Sequence, residues 1–571
     1  MLSNWMVMNR RKVIICLWIG LGSLSILLRA SIIDIPLERD EGCFAYIAQQ
    51  WRAGAVPYRD LFDHKPPGIY AAYATLQTCF GESISALRWG MFLHTLPMFV
   101  GLVLICRALT SDPYAELWAC FASSVLLTCI LFYGQSANCE MFAIAPGTLG
   151  FGLALVSASE RQRGRFSLAF VAGICGGAAL LYKHVALLYF APSLVVAVTC
   201  GSDRFKRLCL MIVGSVCLPL LFALYFYLHG AWEEFVFCNW TYNRLYAGRN
   251  PLTLYPQLFF KKVLPMTVTF IGFAAGCCVG TIRLIGAAAR GNGRFPRPAA
   301  IATLVWVFVS WLMIVPGGVF YPHYFLLTIP SVSILVAAGL VTESQMKQRL
   351  GWGLAFITCS LGPYFLVQQN VFFAPHATAI KSIYNSHNFF NDAVVWGDWL
   401  KRNTDPKDKV FIVGSEPQVL YYSRRKGVSR YPYIYPLTLP LTASTAQAEA
   451  ERTLESTPPD IAIVIYSPTS LLFESATPFD FFLRLQAKLK KDYQPIAICA
   501  RKNQAGLDHW SLALDPVIIE DPDLIARIRS REPGWFQNDY PGYCALVWKR
   551  TALTEKRGAA SKSISHDENQ E

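Results

Sequence analysis

The sequence predicts a mainly α-helical, polytopic membrane bundle of about eleven transmembrane helices, followed by an extracytoplasmic α/β domain. Three observations carry this expectation. The 571 residues are 54% apolar and only 16% charged, with a mean hydropathy of +0.34. Soluble globular chains carry about 25% charged residues. Apolar stretches of 16–24 residues recur through the first two thirds, and about 20 such residues cross a bilayer. Lys and Arg gather in alternate loops. A soluble enzyme, a disordered chain and a secreted disulfide scaffold all fit this composition poorly.

The stretches centre on residues 13–33, 87–106, 115–134, 139–158, 166–182, 185–201, 208–228, 263–283, 299–315, 323–341 and 350–370. Lipid offers no partner to a free N–H or C=O, so each span must be helical. The segments 166–182 and 185–201 are short, and Tyr182-Lys183-His184 separates them; a tight hairpin fits better than one long helix. The first stretch is long and lacks an AxA-like site, unlike a cleavable signal peptide. Arg10/Arg11/Lys12, Arg107, Arg161/Arg163/Arg165, Arg204/Lys206/Arg207, Arg283/Arg290/Arg294/Arg297 and Lys347/Arg349 mark one set of loops, whereas the short loops 134–138 and 316–322 carry no Lys or Arg. The amino terminus is therefore expected to be cytoplasmic, and an odd helix count puts the carboxyl-terminal region on the other side. A bacterial inner (plasma) membrane is expected. The net charge of +13 is then largely a topology signal, and nucleic acid is not implied as a partner. Most of the 17 cysteines lie in apolar runs, where Cys acts as a small hydrophobe. No CxxC pair or Cys/His spacing suits zinc. Cys499 and Cys544 are candidates for pairing only in an extracytoplasmic tail.

Three domains follow. Residues 1–370 form the membrane module, including the outer loop 34–86. Residues 371–550 form the α/β domain, and the polar, aperiodic residues 551–571 are expected to be disordered. In the tail domain Lys409–Gly414, Ile461–Tyr466, Pro495–Ala500 and Tyr543–Trp548 read as strands, and Ala446–Ser456 and Phe479–Lys491 as helices. Their alternation suggests a partly parallel sheet.

The clearest polar cluster is in the first outer loop: Glu38-Arg39-Asp40-Glu41, Asp60, and Asp63-His64-Lys65-Pro66-Pro67-Gly68. Phe44, Ile47, Ala48 and Trp51 fall at helical spacing, which predicts an amphipathic helix on the membrane surface with Asp40 as its cap. Asn138 and Glu140 lie at the outer turn before the fourth helix, Lys183 and His184 at the turn between the fifth and sixth, and Tyr321, His323 and Tyr324 at the outer start of the tenth. Arg244 and Arg249 follow the seventh. A helix cap explains Asp40 alone, and an interfacial anchor explains Lys183 alone. The convergence of acids, cations and aromatics on one membrane face suggests chemistry. A carboxylate takes a proton from an acceptor hydroxyl; a cation holds a phosphate and the charge that builds as it leaves. Such a site suits a substrate that is both membrane-bound and phosphorylated. Ser-His-Asp hydrolase, P-loop and HExxH patterns are absent.

Arg39-Asp40-Glu41-Gly42, Tyr46-Ile47-Ala48, Gly54, Pro57-Tyr58-Arg59-Asp60 and Asp63-His64-Lys65-Pro66-Pro67-Gly68 together resemble the first outer loop of the GT-C membrane glycosyltransferases. The likeness is nearest to glycosyltransferase family 39, the protein O-mannosyltransferase-like enzymes, and more distant to the lipid A aminoarabinose transferases. Glu140, Gly176–Lys183, Phe320–Phe325 and Val413–Gln418 extend it. The resemblance implies a GT-C fold, a polyprenyl-phosphate-sugar donor, an extracytoplasmic site and inversion at the anomeric carbon. It implies Asp40 as general base with Glu41 supporting it, and Lys65 and Lys183 as phosphate contacts. His64, Asp63, Glu140, His184, Arg244, Tyr321, His323 and Tyr324 complete the candidate substrate-binding set. Where the aminoarabinose transferases have Glu before Lys-Pro-Pro, this chain has His64. A divalent metal is the one cofactor left open, with Asp40, Asp63 and His64 as candidate ligands.

The expected function is sugar transfer from the lipid donor to a hydroxyl of a lipid, glycan or protein acceptor. Another class, a lipid-linked sugar transporter or a non-catalytic scaffold, stays open, as does another GT-C activity on lipid A or a wall polysaccharide. A transporter should carry charged groups and broken helices at mid-membrane.

Overall fold

The structure, a computed structural model, describes residues 2–159, 164–247, 250–290, 295–341, 346–384, 388–503, 510–513, 517–530 and 543–551. The stretch 552–571, expected to be disordered, lies outside them, as do Arg161, Arg163, Arg249 and Arg294. The chain forms two compact units. One comprises Met1–Ile35 and His64–Ala379, the other Pro36–Asp63 and Ile380–Glu571. The first outer loop is thus divided at Asp63 and His64.

The first unit is a polytopic helical bundle. Seven helices among the described residues are long and apolar enough to cross a membrane: Lys12–Ala30, Ile84–Leu109, Cys139–Ser157, Arg165–Tyr182, Arg204–Leu228, Ile271–Arg290 and Pro322–Leu340. Shorter apolar helices occupy His184–Thr199, Arg297–Leu312 and Gly351–Val367. Each expected stretch therefore meets a helix, with three changes of extent. The stretch 115–134 is α-helical only over Tyr114–Leu126, and a 3₁₀ turn follows at Ile130–Phe132. The stretch 263–283 is broken at Phe270, and the apolar helix is Ile271–Arg290. Apolar composition alone does not register such breaks. The expected hairpin turns at Lys183, but its second arm opens as a 3₁₀ segment, His184–Phe190, before the helix Ala191–Thr199. Cys139–Ser157 is the most enclosed of the seven, packed by Ile84–Leu109 and by Arg165–Tyr182. Arg283, one of the loop cations, donates to the carbonyls of Ala338, Gly339 and Val341 at 2.6–3.0 Å. Those carbonyls close the helix Ile329–Leu340, where a cation offsets unsatisfied acceptors and the helix dipole.

The second unit is α/β. Its strands are β1 (Lys409–Val413), β2 (Lys426–Gly427), β3 (Ile461–Ile465), β4 (Tyr493–Asn503), β5 (Trp510–Ala513), β6 (Val517–Ile518) and β7 (Tyr543–Arg550). The order is β2-β1-β3-β7-β4-β5, with β6 on β4. The β2-β1-β3 part is parallel and β3-β7-β4 antiparallel, so the sheet is partly parallel. The helix Pro440–Ser456 lies between β2 and β3 in the chain, and Asp480–Asp492 leads into β4. Every residue of β3 is buried, as a strand covered on both faces requires. Cys499 stands opposite Ala545 in the β4–β7 ladder; the Cys544 side chain lies outside what is described.

Candidate functional site

Within the second unit, the polar cluster of the first loop opens the helix Arg39–Arg52. Its cap is Glu38. The Glu38 carboxylate accepts the Glu41 N–H at 3.4 Å, and the Glu41 carboxylate accepts the Glu38 N–H at 3.1 Å. This reciprocal pair is a capping box. Asp40 is thus a first-turn residue and not the cap expected for it, because a cap two residues earlier already satisfies the free N–H groups. The helix amino end still favours its negative charge. Asp40 is half-buried and Glu41 fully buried. Burial, followed by the charges of Asp40 and Glu41, pushes the Glu38 carboxyl up to about 8.

The apolar face of this helix was expected against the membrane surface. It packs instead on the α/β domain of its own unit. Phe44, Ile47 and Ala48 are buried and Trp51 half-buried. The helix lies against Gln418–Ser423, so closely that a Cβ on Gly42 would stand 2.4 Å from Gln418 Cβ. The Gly427 N–H donates to the Tyr46 hydroxyl at 2.8 Å, and the Leu37 N–H to the Tyr422 hydroxyl at 3.1 Å. Amphipathic spacing identifies a face to be covered, not what covers it. Arg39 donates from Nε to the Ser415 carbonyl and from Nη2 to the Thr469 carbonyl, each at 2.6 Å. It also stands 3.8 Å from Glu416, which accepts from the Ser470 hydroxyl. Burial raises the Glu416 carboxyl above its usual range, against the opposing charge of Arg39. Ser415 follows β1 and Thr469 follows β3, at the carboxyl ends of two parallel strands. Open α/β sheets usually bind ligands at that edge; here it holds Arg39, the neighbour of Asp40.

The rest of this half-loop is anchored locally. Asp63 is buried and accepts from the Tyr433 hydroxyl at 3.1 Å. Asp60 accepts the Val56 N–H at 2.7 Å; its hydrogen bonds with Arg59 hold its carboxyl below the usual range.

The other candidates lie in the first unit, and the structure brings most of them together. Lys65 Nζ is 3.3 Å from His64 Nε2. The His64 carbonyl accepts from Asn243 at 2.7 Å, and its ring faces Tyr242 and Tyr246 at 5.3 and 5.2 Å. Three residues after Lys65, a Cβ at Gly68 would stand 2.6 Å from the Leu181 carbonyl oxygen. The glycine of the KPPG run therefore lets the Gly68–Phe80 helix meet the end of Arg165–Tyr182, just before Lys183. Lys183 forms an ion pair with Glu140 and sits 3.7 Å over the Tyr324 ring. His323 Nε2 is 3.9 Å from the same Glu140 oxygen, and Tyr321 stacks on the His323 ring at 5.6 Å. His184 lies within electrostatic reach of His64, Lys65 and Lys183. Arg244 is exposed, next to Asn243. Glu140, Lys183 and His323 all stand at or next to the ends of candidate spans. A cavity of about 250 Å³ opens nearby, lined by Gly68, Leu76, His94, Phe142, Leu181 and Tyr182 among others.

Sequence reading missed Tyr242, Asn243 and Tyr246, which sit on short helical turns after Arg204–Leu228. It also missed Gln135 and Ser136, although a polar run between two apolar stretches marks them. Of the metal candidates, Asp40 and Asp63 lie in the second unit and His64 in the first. Among the described residues no group of three or more His, Cys, Asp or Glu side chains is arranged to hold an ion.

No family model matches the chain, and no curated protein does. Solved structures do. The crystal structure of ArnT from Cupriavidus metallidurans in the apo state is 15% identical, over 81% of this chain and 93% of that one, with a TM-score of 0.50. ArnT bound to undecaprenyl phosphate matches at 14% identity, 78% and 92% coverage and a TM-score of 0.48. The archaeal oligosaccharyltransferase AglB from Archaeoglobus fulgidus, in complex with an inhibitory peptide and a dolichol-phosphate, matches at 10% identity, 93% and 88% coverage and 0.45. The chain has the GT-C glycosyltransferase fold, a polytopic membrane bundle with a carboxyl-terminal domain. None of these matches singles out glycosyltransferase family 39.

Proposed function

We propose that this protein is an integral-membrane, inverting glycosyltransferase. It moves a sugar from a polyprenyl-phosphate donor to an acceptor hydroxyl on the extracytoplasmic face of a bacterial inner membrane, with its amino terminus cytoplasmic. The observation that supports this reading best is the cluster of Glu140, Lys183, His323 and Tyr324 with its neighbours His64, Lys65 and His184. It gathers cations, a buried carboxylate and aromatic faces at the ends of apolar helices. Charged groups gathered at helix ends suit an enzyme working from one membrane face, and a mid-membrane transport path needs a different arrangement.

Lys65 and Lys183 hold the donor phosphate as charge-assisted donors. Glu140 and the Tyr324 ring keep the Lys183 ammonium in place, and the apolar cavity beside Gly68 takes the first isoprene units. Asp40 removes the proton from the acceptor hydroxyl. That oxygen attacks the anomeric carbon as its bond to the lipid phosphate breaks; the cations stabilise the leaving phosphate. Glu38 and Glu41 fix the helix end that carries Asp40.

The test is mass spectrometry of lipid co-purifying with the Asp40→Asn protein in mild detergent, paired with a transfer assay using added donors. A positioned base contributes about 10²–10⁴ in rate. The variant should therefore retain an uncleaved polyprenyl-phosphate sugar and transfer it slower by about that factor. Full transfer by Asp40→Asn would remove Asp40 from the mechanism. Bulk phospholipid alone, with donors supplied, would move the reading to a transporter or scaffold.

A further inference from the structure

The turn before Cys139–Ser157 carries five side-chain polar atoms that the catalytic reading leaves unexplained. Gln135, Ser136 and Asn138 are 0%, 0% and 2% exposed. Among the described residues, Gln135 Oε1 and Nε2, Ser136 Oγ, and Asn138 Oδ1 and Nδ2 find no hydrogen-bond partner. Such groups are uncommon, and each costs stability. Asn138 is at the cap position of a 19-residue helix, yet its side chain makes no capping bond, although Asn there usually does.

The backbone of the same turn is held on every side. Arg29 donates to the carbonyls of Gly134 at 2.6 Å and Leu127 at 3.0 Å, and the Tyr73 hydroxyl donates to the Ala137 carbonyl at 2.9 Å. The Gly134 N–H bonds Cys129 and the Ser136 N–H bonds Tyr133. Tyr133 adopts a left-handed conformation at φ 55°, which for a bulky residue is strained, and its ring lies 6.1 Å from His323. Rigid backbone, strained support and unsatisfied side chains together describe a site prepared for something else. Two residues further on stands Glu140, paired with Lys183.

Resting on the glycosyltransferase reading, we infer that Gln135, Ser136 and Asn138 form the subsite for the donor's sugar, and that it takes a neutral polyhydroxylated ring. The argument is one of complementarity. The orphaned set mixes donors and acceptors and carries no charge. A phosphate offers only acceptors and would leave both amide oxygens bare; a cation would leave both amide nitrogens bare. Sugar hydroxyls donate and accept at once. Tyr133 and His323 supply aromatic faces beside the set.

The test uses the full chain in nanodiscs and measures binding of undecaprenyl phosphate, bare or linked to glucose, mannose, galactose or N-acetylglucosamine. Wild type should bind at least one linked form more tightly than the bare lipid. Asn138→Ala and Gln135→Ala should each reduce that gain, by about 2–10-fold per lost hydrogen bond, and leave bare-lipid affinity unchanged. Lys183→Met should weaken both forms. Gln135→Leu and Asn138→Leu, which remove orphaned groups, should not lower the unliganded melting temperature. Retained preference in the alanine variants overturns the subsite, as does equal loss of both lipids with a lowered melting temperature. A wild type that binds bare and linked lipids equally overturns the subsite and leaves the lipid-phosphate reading standing. A wild type that binds neither overturns the glycosyltransferase reading itself.

Discussion

The Arg39 guanidinium reaches the Ser415 carbonyl at 2.6 Å, 376 residues away in the chain. That bond attaches the residue beside Asp40 to the turn after β1. It makes the α/β domain the seat of the acidic helix within their shared unit.

Arg39→Met should therefore damage two things. Glu416, buried and 3.8 Å away, loses its cation, at a cost of about 3–5 kcal/mol. Asp40 loses the anchor on its neighbour, so transfer falls while donor affinity holds. Adding Glu416→Leu should recover most of the stability and little of the activity. Denaturation and transfer assays on the single and double variants check this; equal stability in both would contradict it.

Lys183 and Glu140 form a second coupled pair. Lys183→Met leaves a carboxylate that is 2% exposed without its nearest cation, and should destabilise by about 3 kcal/mol. Glu140→Gln in the same chain should restore the fold and not the transfer. A double variant no more stable than the single one would show that the pair is not coupled.

Gly68→Ala forces a methyl to within 2.6 Å of the Leu181 carbonyl oxygen. Backbone must shift, and about 1–3 kcal/mol of stability should be lost. Activity should fall too, because Lys65 precedes this contact by three residues. Gly22→Ala, with no atom within 4 Å, is the matched control and should be neutral. Similar behaviour of the two variants would refute the close-approach argument.

Glu38 gives a pH dependence with a definite sign. Its carboxyl is raised from 4.5 to about 8 in the folded chain, so the folded state holds the proton more tightly than the unfolded one. The resulting stability is fully present below about 4.5 and is lost as pH rises through about 8. Glu38→Gln keeps an oxygen for the Glu41 N–H and cannot ionise. Melting temperatures from pH 5 to pH 9 should fall more steeply in the wild type than in this variant; parallel curves would rule the effect out.

The sequence made the helices legible because lipid leaves the backbone no alternative to them. Their interruptions at Phe270 and after Leu126 depend on packing and carry no compositional mark. The site was half legible. Glu140, Lys183 and His323 stood out as polar residues at apolar boundaries, and the structure joins them. The partner of the Arg39–Arg52 helix was not legible. Tyr46 shows that a face exists, but Gly427 lies 381 residues on, beyond any local pattern. Asp40 was misplaced as the cap because Asp is a preferred capping residue and Glu is not, and only geometry selects Glu38.

That separation also orders events during synthesis. At 5–20 residues per second, Gly427 follows Tyr46 off the ribosome by about 20–75 s. Throughout that interval Phe44, Ile47 and their neighbours lack the surface that eventually covers them. The nascent chain must carry an adhesive helix while the later membrane spans insert. Early termination before Gln418 would strand that helix, so truncated products should be cleared by proteases and should not persist as partial enzymes.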